Sequence, residues 1–190
     1  MPVRDRILGC IFGGAIGDAL GGAYEGKQPP FEISDDAELR LSDDTQLTLA
    51  TCEAIASAGG VVDPERIAGR FAEWHRASRV TVMGASTRKA LGELVAGGHW
   101  ALVGRKGEYA AGNGAAMRSA PLGFCLDPND EGARRTIRDV SRITHHHEEA
   151  YAGALAVALA VSASPESSWE DTNDLLGAVI GGLPDTQLRD

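Results

Sequence analysis

The chain has 190 residues, with 18 Lys and Arg set against 27 Asp and Glu for a formal net charge of −9. Hydrophobic residues make up 43% and charged residues 24%, a balance that excludes a disordered chain and suits a single globular domain over 1–190. The acidity argues against direct nucleic-acid binding or an anionic membrane surface, both of which need clustered Lys and Arg. It leaves open a phosphate-bearing ligand held through a divalent cation.

Aromatic residues are only 5% while glycines number 24, so the core is expected to come from closely approaching helices and tight turns, not from a β-sandwich. No apolar run is read as approaching the ~20 residues of a membrane helix. Met1-Pro2-Val3-Arg4-Asp5-Arg6 lacks the layout of a secretory signal, and a cytoplasmic location is expected. Cys10, Cys52 and Cys125 are widely spaced among apolar neighbours and read as reduced, buried thiols; no Cys-x-x-Cys pair suggests zinc.

In chain order, Ile7, Leu8, Ile11, Phe12, Ala15, Ile16, Ala19 and Leu20 carry the spacing of a buried helix. Gly9, Gly13 and Gly17 fall on one face, where another backbone is expected to approach closely. Gly17-Asp18-Ala19-Leu20-Gly21 closes this helix without a preceding strand, so it is not a dinucleotide fingerprint, and Asp18 reads as a turn or cap residue. The segment 26–44 is the longest irregular piece, with Pro29-Pro30 and two acidic clusters. Leu47, Ala50, Ala54 and Ala58 mark a helix stopped by Gly59-Gly60. Asp63-Pro64 opens the next, with Ile67, Phe71 and Trp74 as its apolar stripe. Further helices are predicted at 85–96, 113–124, 131–143, 147–162 and 171–181, the last capped by Asp171. Trp74, Trp100 and Trp169 read as packing residues, and no stretch alternates like a strand. The predicted class is all-α.

Three stretches carry possible chemistry. Ser42-Asp43-Asp44-Thr45-Gln46 places two adjacent carboxylates and two hydroxyls before an apolar helix. It reads either as an N-cap in an acidic loop or as hard oxygen ligands for Mg²⁺, Mn²⁺ or Ca²⁺. Ser34-Asp35-Asp36 shares its first three letters but lacks the helix behind it. In Gly112-Asn113-Gly114-Ala115-Ala116-Met117-Arg118, small residues at a helix start expose backbone N–H groups that suit a diphosphate, or simply form a turn. Arg118 suits either a phosphate or a structural carboxylate. Thr144-His145-His146-His147-Glu148-Glu149 reads as a polar helix start, or as a soft-metal pair through His145 and His147.

Taken in order, the run Gly9 to Gly21, then Glu25, Ser42 to Gln46, Asn113 to Gly123, and Thr144-His145 with Glu149-Ala150 resembles the ADP-ribosylglycohydrolase family. The resemblance implies a compact all-α multi-helix bundle with a dinuclear Mg²⁺ centre, Mn²⁺ being the alternative metal. It implies cleavage of the glycosidic bond between ADP-ribose and a modified protein or other acceptor. Ser42, Asp43 and Asp44 are the implied metal ligands. Glu25, Asp43 and Asp44 are the implied catalytic residues, with Glu25 as base or gate. Gly112, Asn113, Gly114, Met117 and His145 are the implied ligand-binding residues.

The late Gly-Asp-x-Asp-Thr motif of that family is absent, and Gly181-Gly182-Leu183-Pro184-Asp185-Thr186 lacks the first Asp of its pair. The resemblance therefore covers about the N-terminal two-thirds of such an enzyme, a C-terminally truncated form of the bundle. Half of the metal ligands and part of the core are expected to be missing. The implied partners are ADP-ribose or an ADP-ribosylated substrate, and a complementary C-terminal chain or a second copy. The alternative function is a non-catalytic ADP-ribose-binding or interaction protein.

Overall fold

A computed structural model describes residues 3–28, 30, 39–163 and 172–186. Pro29, Ser34-Asp35-Asp36, Trp169 and Asp171, which carry expectations above, lie outside the described residues. The elements are α1 (Val3–Gly21), α2 (Asp43–Ser57), α3 (Pro64–Arg76), α4 (Ala85–Val95), α5 (Ala120–Cys125), α6 (Glu131–Arg142), α7 (Glu148–Ala163) and α8 (Thr172–Gly182). The all-α class holds.

Local chemistry sets the boundaries of α2 and α3. Ser42 caps α2 by accepting from the Asp44 amide, and Asp63 caps α3 by accepting from the Glu65 and Arg66 amides, with Pro64 in the first turn. Gly59 and Gly60 end α2 with φ of +68° and +95°, the left-handed region glycine tolerates best. The Gly60 amide there reaches back to the Ile55 carbonyl at 2.9 Å.

The core lies among α2, α3, α4, α6 and α7, where Leu47, Ile67, Phe71, Leu91, Ile137 and Leu155 are fully buried. Each such side chain contributes ~1.5–3 kcal/mol relative to exposure. Helix α7 is apolar nearly all round, as a helix held between neighbours should be, and it packs against α5, α6 and α8. Gly123 permits the α5–α7 approach: a Cβ there would stand 2.5 Å from the Ala158 carbonyl oxygen.

Several expectations are corrected. Helix α1 has no buried residue; Phe12 is 64% and Ile16 60% exposed, because α1 rests on α2 and α5 by one side only partly covered. A Cβ at Gly9, Gly13 or Gly17 would meet nothing within 4 Å, so no backbone approaches that glycine face among the described residues. Val3–Tyr24 is, by length and composition, apolar enough to cross a membrane, against the reading of no such run. In this fold its Asp18 is engaged by the start of α2, as described below.

The predicted helix 113–124 breaks into a 3-10 turn, Ala116–Arg118, followed by α5. Pro121 explains the break. It has no N–H to donate, and its ring would clash with the Met117 carbonyl in a continuous helix. One short pairing replaces the expected absence of sheet: Arg105–Lys106 lies parallel to His145–His146. The cysteines are not buried: Cys10 and Cys52 are half-buried and Cys125 is exposed. All three line one apolar cavity of about 460 Å³ between α1, α2 and α5.

Candidate active site

The start of α2 is organised by a residue 24 positions earlier. The Asp18 carboxylate accepts from the Ser42 amide at 2.9 Å, the Ser42 hydroxyl at 2.6 Å, the Thr45 amide at 3.3 Å and the Thr45 hydroxyl at 2.6 Å. Burial pushes this carboxyl up, but the hydrogen bonds from Ser42 and Thr45 outweigh it and hold the group below its ordinary range. Asp18 is therefore a cap residue, but for α2 and not for its own helix. Ser42 Oγ gives its proton to Asp18 and accepts from the Asp44 amide, which leaves it one further lone pair.

Since Ser42 and Asp18 do the capping, Asp43 and Asp44 are released from that task. Asp43 is only 6% exposed. Its burial, then Asp44 and Glu25, push its carboxyl up to about 6, against the opposing influence of Arg118. Asp44 is also raised, by burial first and then by Asp18 and Glu25. These crowded acids repel one another, and their hard oxygens match a divalent cation in chemistry. They fall short in number. Among the described residues no three His, Cys, Asp or Glu side chains converge as a metal-binding group.

Facing this edge is the Gly112-Asn113-Gly114 loop. A Cβ at Gly114 would lie 2.5 Å from His145 Cε1, and one at Gly112 would lie 3.3 Å from His145 Nε2. Both glycines thus make room for the imidazole. The loop leads into a single 3-10 turn, so the expected anion site at a full helix start is corrected: loop amides remain, but no long helix stands behind them. Arg118 is fully buried and donates to the carbonyls of Gly114 and Val140 and to Thr144 Oγ1, lying over the Phe71 ring at 5.2 Å. Its role is structural, but the hydrogen-bond partners shown are two carbonyls and a hydroxyl, not the phosphate or structural carboxylate expected. Burial lowers it to about 10, and Asp43 opposes that fall.

The two histidines of the predicted metal pair part company. His147 Nδ1 accepts from the Glu149 amide, serving the start of α7, and His146 Nε2 meets the Val103 carbonyl at 2.7 Å. His145 alone turns to the cleft. Burial first, then Arg118 and Arg105, lower it to about 3, so it is neutral near pH 7.

Glu25, Asp43, Asp44, Gly112, Asn113, Gly114, Met117 and His145 all line one cleft of about 180 Å³. Ser42, the remaining predicted residue, stands at its edge through the α2 cap. The larger, 460 Å³ cavity lies beside it, shares Asp44 and Met117 with it, and holds little of this chemistry. Sequence reasoning missed Ser86, Thr87, Arg105 and Val82, which also line the cleft. Thr87 left a signal. It precedes Ala90, Leu91 and Leu94 on the buried stripe of α4, where an apolar residue is expected. Val82 left none; it is 72% exposed with φ +53°, a strained conformation for a β-branched residue. Gln46 holds that loop, accepting from the Thr81 amide at 2.7 Å and donating to the Thr81 hydroxyl at 2.9 Å.

The chain belongs to the ADP-ribosylglycohydrolase family, whose sequence profile matches residues 1–188. It is 31% identical over 170 residues to the ADP-ribosyl-(dinitrogen reductase) glycohydrolase of Rhodospirillum rubrum, covering 82% of this chain and 56% of the relative. It is 26% identical over 203 residues to ADP-ribosylhydrolase ARH3 of Danio rerio, covering 96% and 54%. A solved structure described as an ADP-ribosylglycohydrolase-related protein complex superposes with a TM-score of 0.64 at 31% identity, covering 85% of this chain and 56% of that one. The chain thus spans a little over half the length of the relatives it matches.

Proposed function

We propose that this chain carries one side of an ADP-ribosylglycohydrolase centre and removes ADP-ribose from a modified protein or other acceptor by cleaving its glycosidic bond. The observation that carries the reading is the cleft in which the buried Asp43, with Asp44 and Glu25, lies across from the Gly112–Gly114 loop and His145. Family membership supports the same reaction class. The cleft volume of about 180 Å³ is below the ~300–1,000 Å³ of a typical ligand pocket, so it takes part of ADP-ribose and leaves the rest to an adjoining surface.

The cofactor in this reading is a pair of divalent cations, Mg²⁺ or Mn²⁺, with Asp43, Asp44 and the free lone pair of Ser42 Oγ holding them from this side. When bound, such cations supply polarisation of ribose hydroxyls and of water. The chain's own residues do the rest. Asp18 fixes the direction of the Ser42 hydroxyl and the first turn of α2. Glu25 takes a proton from the water as its oxygen bonds to the anomeric carbon, the bond from that carbon to the acceptor breaks, and Glu25 returns the proton to the departing acceptor. The loop amides at 112–114 approach the diphosphate, and Met117 and His145 border the ribose and diphosphate.

The remaining ligands come from a complementary C-terminal segment, which also covers the open apolar face of α1; self-association is the competing way to cover it. The reading places the protein in the cytoplasm. The test is release of ADP-ribose from arginine- and serine-linked ADP-ribosylated proteins, with Mg²⁺ and with a chelator, alone and with the complementary segment. Release should require Mg²⁺ and vanish in Asp43→Ala and Asp44→Ala. Unchanged turnover in both variants would sink the site assignment, and ADP-ribose binding without turnover would replace hydrolysis by ligand binding alone.

A further inference from the structure

We infer that Arg118 and Thr144 form a buried hydrogen-bond relay that fixes His145 as the tautomer with its proton on Nε2, giving the cleft a permanent N–H donor. The direction of the relay follows from what each group can give. A guanidinium has donors and no acceptor, so the 2.8 Å contact from Arg118 Nη2 uses a lone pair of Thr144 Oγ1. The same oxygen lies 2.7 Å from His145 Nδ1. Were that proton on Nδ1, the hydroxyl would accept twice and its own hydrogen would need a further acceptor. Thr144 is fully buried, and an orphaned hydroxyl proton there is costly. With Thr144 donating to Nδ1, the hydroxyl proton has its acceptor and Nδ1 its donor, and the imidazole proton sits on Nε2.

The second half of the argument is where Nε2 lies. The built Cβ positions at Gly112 and Gly114 fall 3.3 and 3.1 Å from it, so the protonated edge of the ring runs along the glycine loop. The same Arg118 also holds the Gly114 carbonyl. One buried cation therefore sets both the loop and the ring beside it. Burial and the two neighbouring arginines, Arg118 and Arg105, oppose an imidazolium, consistent with a neutral ring. A neutral ring with Nε2–H can donate to a phosphate or ribose oxygen. It cannot serve through Nε2 as a base or a metal ligand without losing this tautomer. Thr144 and Arg118 are positioning residues, acting through His145.

That the acceptor is an ADP-ribose oxygen rests on the proposed function; the tautomer does not. The test is long-range ¹H–¹⁵N NMR of histidine-labelled full-length protein at pH 7, with His145→Gln to assign the resonances. His145 should show an unprotonated, hydrogen-bonded Nδ1 and a protonated Nε2. Thr144→Val should lose that signature and weaken ADP-ribose binding by about tenfold, and Thr144→Ser should restore both. A wild-type ring protonated on Nδ1, or on both nitrogens, overturns the relay. So does an unchanged tautomer in Thr144→Val. The inferred tautomer in a protein that ignores ADP-ribose upholds the relay and counts against the functional reading instead.

Discussion

Asp18 offers the most direct check of how the site is held. Its carboxylate takes four donors from Ser42 and Thr45, two of them hydroxyls at 2.6 Å. Hydrogen bonds to a charged group are worth ~1.5–3 kcal/mol each, but four on one partly exposed carboxylate are not additive, since water replaces some when it is removed. Asp18→Ala should therefore cost about 3 kcal/mol, near the upper end of a lost cap. Asp18→Asn keeps an oxygen where the Ser42 amide and both Thr45 donors converge, and sets an NH₂ against Ser42 Oγ; it should cost about 1 kcal/mol. With an m-value of about 2 kcal/mol/M, the urea midpoints should fall by about 1.5 M and 0.5 M. The wild-type carboxyl is held below its ordinary 3.8. Its contribution is therefore present above that value and is lost as pH falls through the folded-state value, a loss the Asn variant should not show. A midpoint for Asp18→Ala within about 0.3 M of wild type, or an Asn variant as damaged as Ala, refutes the reasoning.

Three further outcomes follow from the geometry. Gly123→Ala drives a methyl to within 2.5 Å of the Ala158 carbonyl oxygen and should cost about 2–3 kcal/mol in urea unfolding; Gly112→Ala, at 3.3 Å from a ring nitrogen, should cost less than about 1. Without divalent cations, Asp43 (3.8 raised to about 6) favours the folded state below 3.8 and loses that effect as pH rises through 6, whereas His145 (6.5 lowered to about 3) contributes above 6.5 and loses it as pH falls. Between about 4 and 6 the two nearly cancel, so His145→Gln should become less stable with rising pH and Asp43→Asn more stable, each by less than about 1.4 kcal/mol per unit. Identical pH profiles in both variants would contradict this. Burial, with Cys125 and Cys10 adding, pushes the Cys52 thiol up to about 11, so iodoacetamide should label it slowly at pH 8 and about tenfold faster per added pH unit; rapid labelling at pH 7 would show a different environment.

What was legible in the sequence was what local chemistry decides. Asp63-Pro64 and Gly59-Gly60 act through hydrogen bonds and φ angles within a few residues, so the ends of α2 and α3 could be read directly. The stripe Ile67, Phe71 and Trp74 is buried as its spacing implied. The continuous helix expected over 113–124 was wrong although the signal against it was local, because Pro121 forbids a continuous helix through Met117. Burial of α1 was not legible. Apolar spacing says which face seeks a partner, and only the fold says whether one is present; Phe12 and Ile16 remain exposed. Asp18 shows the same limit, since a cap residue was evident but the helix it caps lies 24 positions on. Ser42-Asp43-Asp44 left two readings open because a cap and a pair of cleft carboxylates use different atoms of the same run. The Ser42 hydroxyl caps, and the two carboxylates face the cleft. Choosing His145 over His147 required knowing which ring reaches Thr144 and which the Glu149 amide.

The central claim is that this cleft binds ADP-ribose through its acidic edge and its glycine loop. Native mass spectrometry of the protein with Mg²⁺ and ADP-ribose, before and after a chelator, tests it most directly. The account predicts a metal-bearing ADP-ribose complex in the wild type that is lost on chelation, in Asp43→Ala and in Gly114→Ala. No ADP-ribose uptake by the wild type with Mg²⁺ and the complementary segment present, or equal uptake by all three proteins, would contradict it.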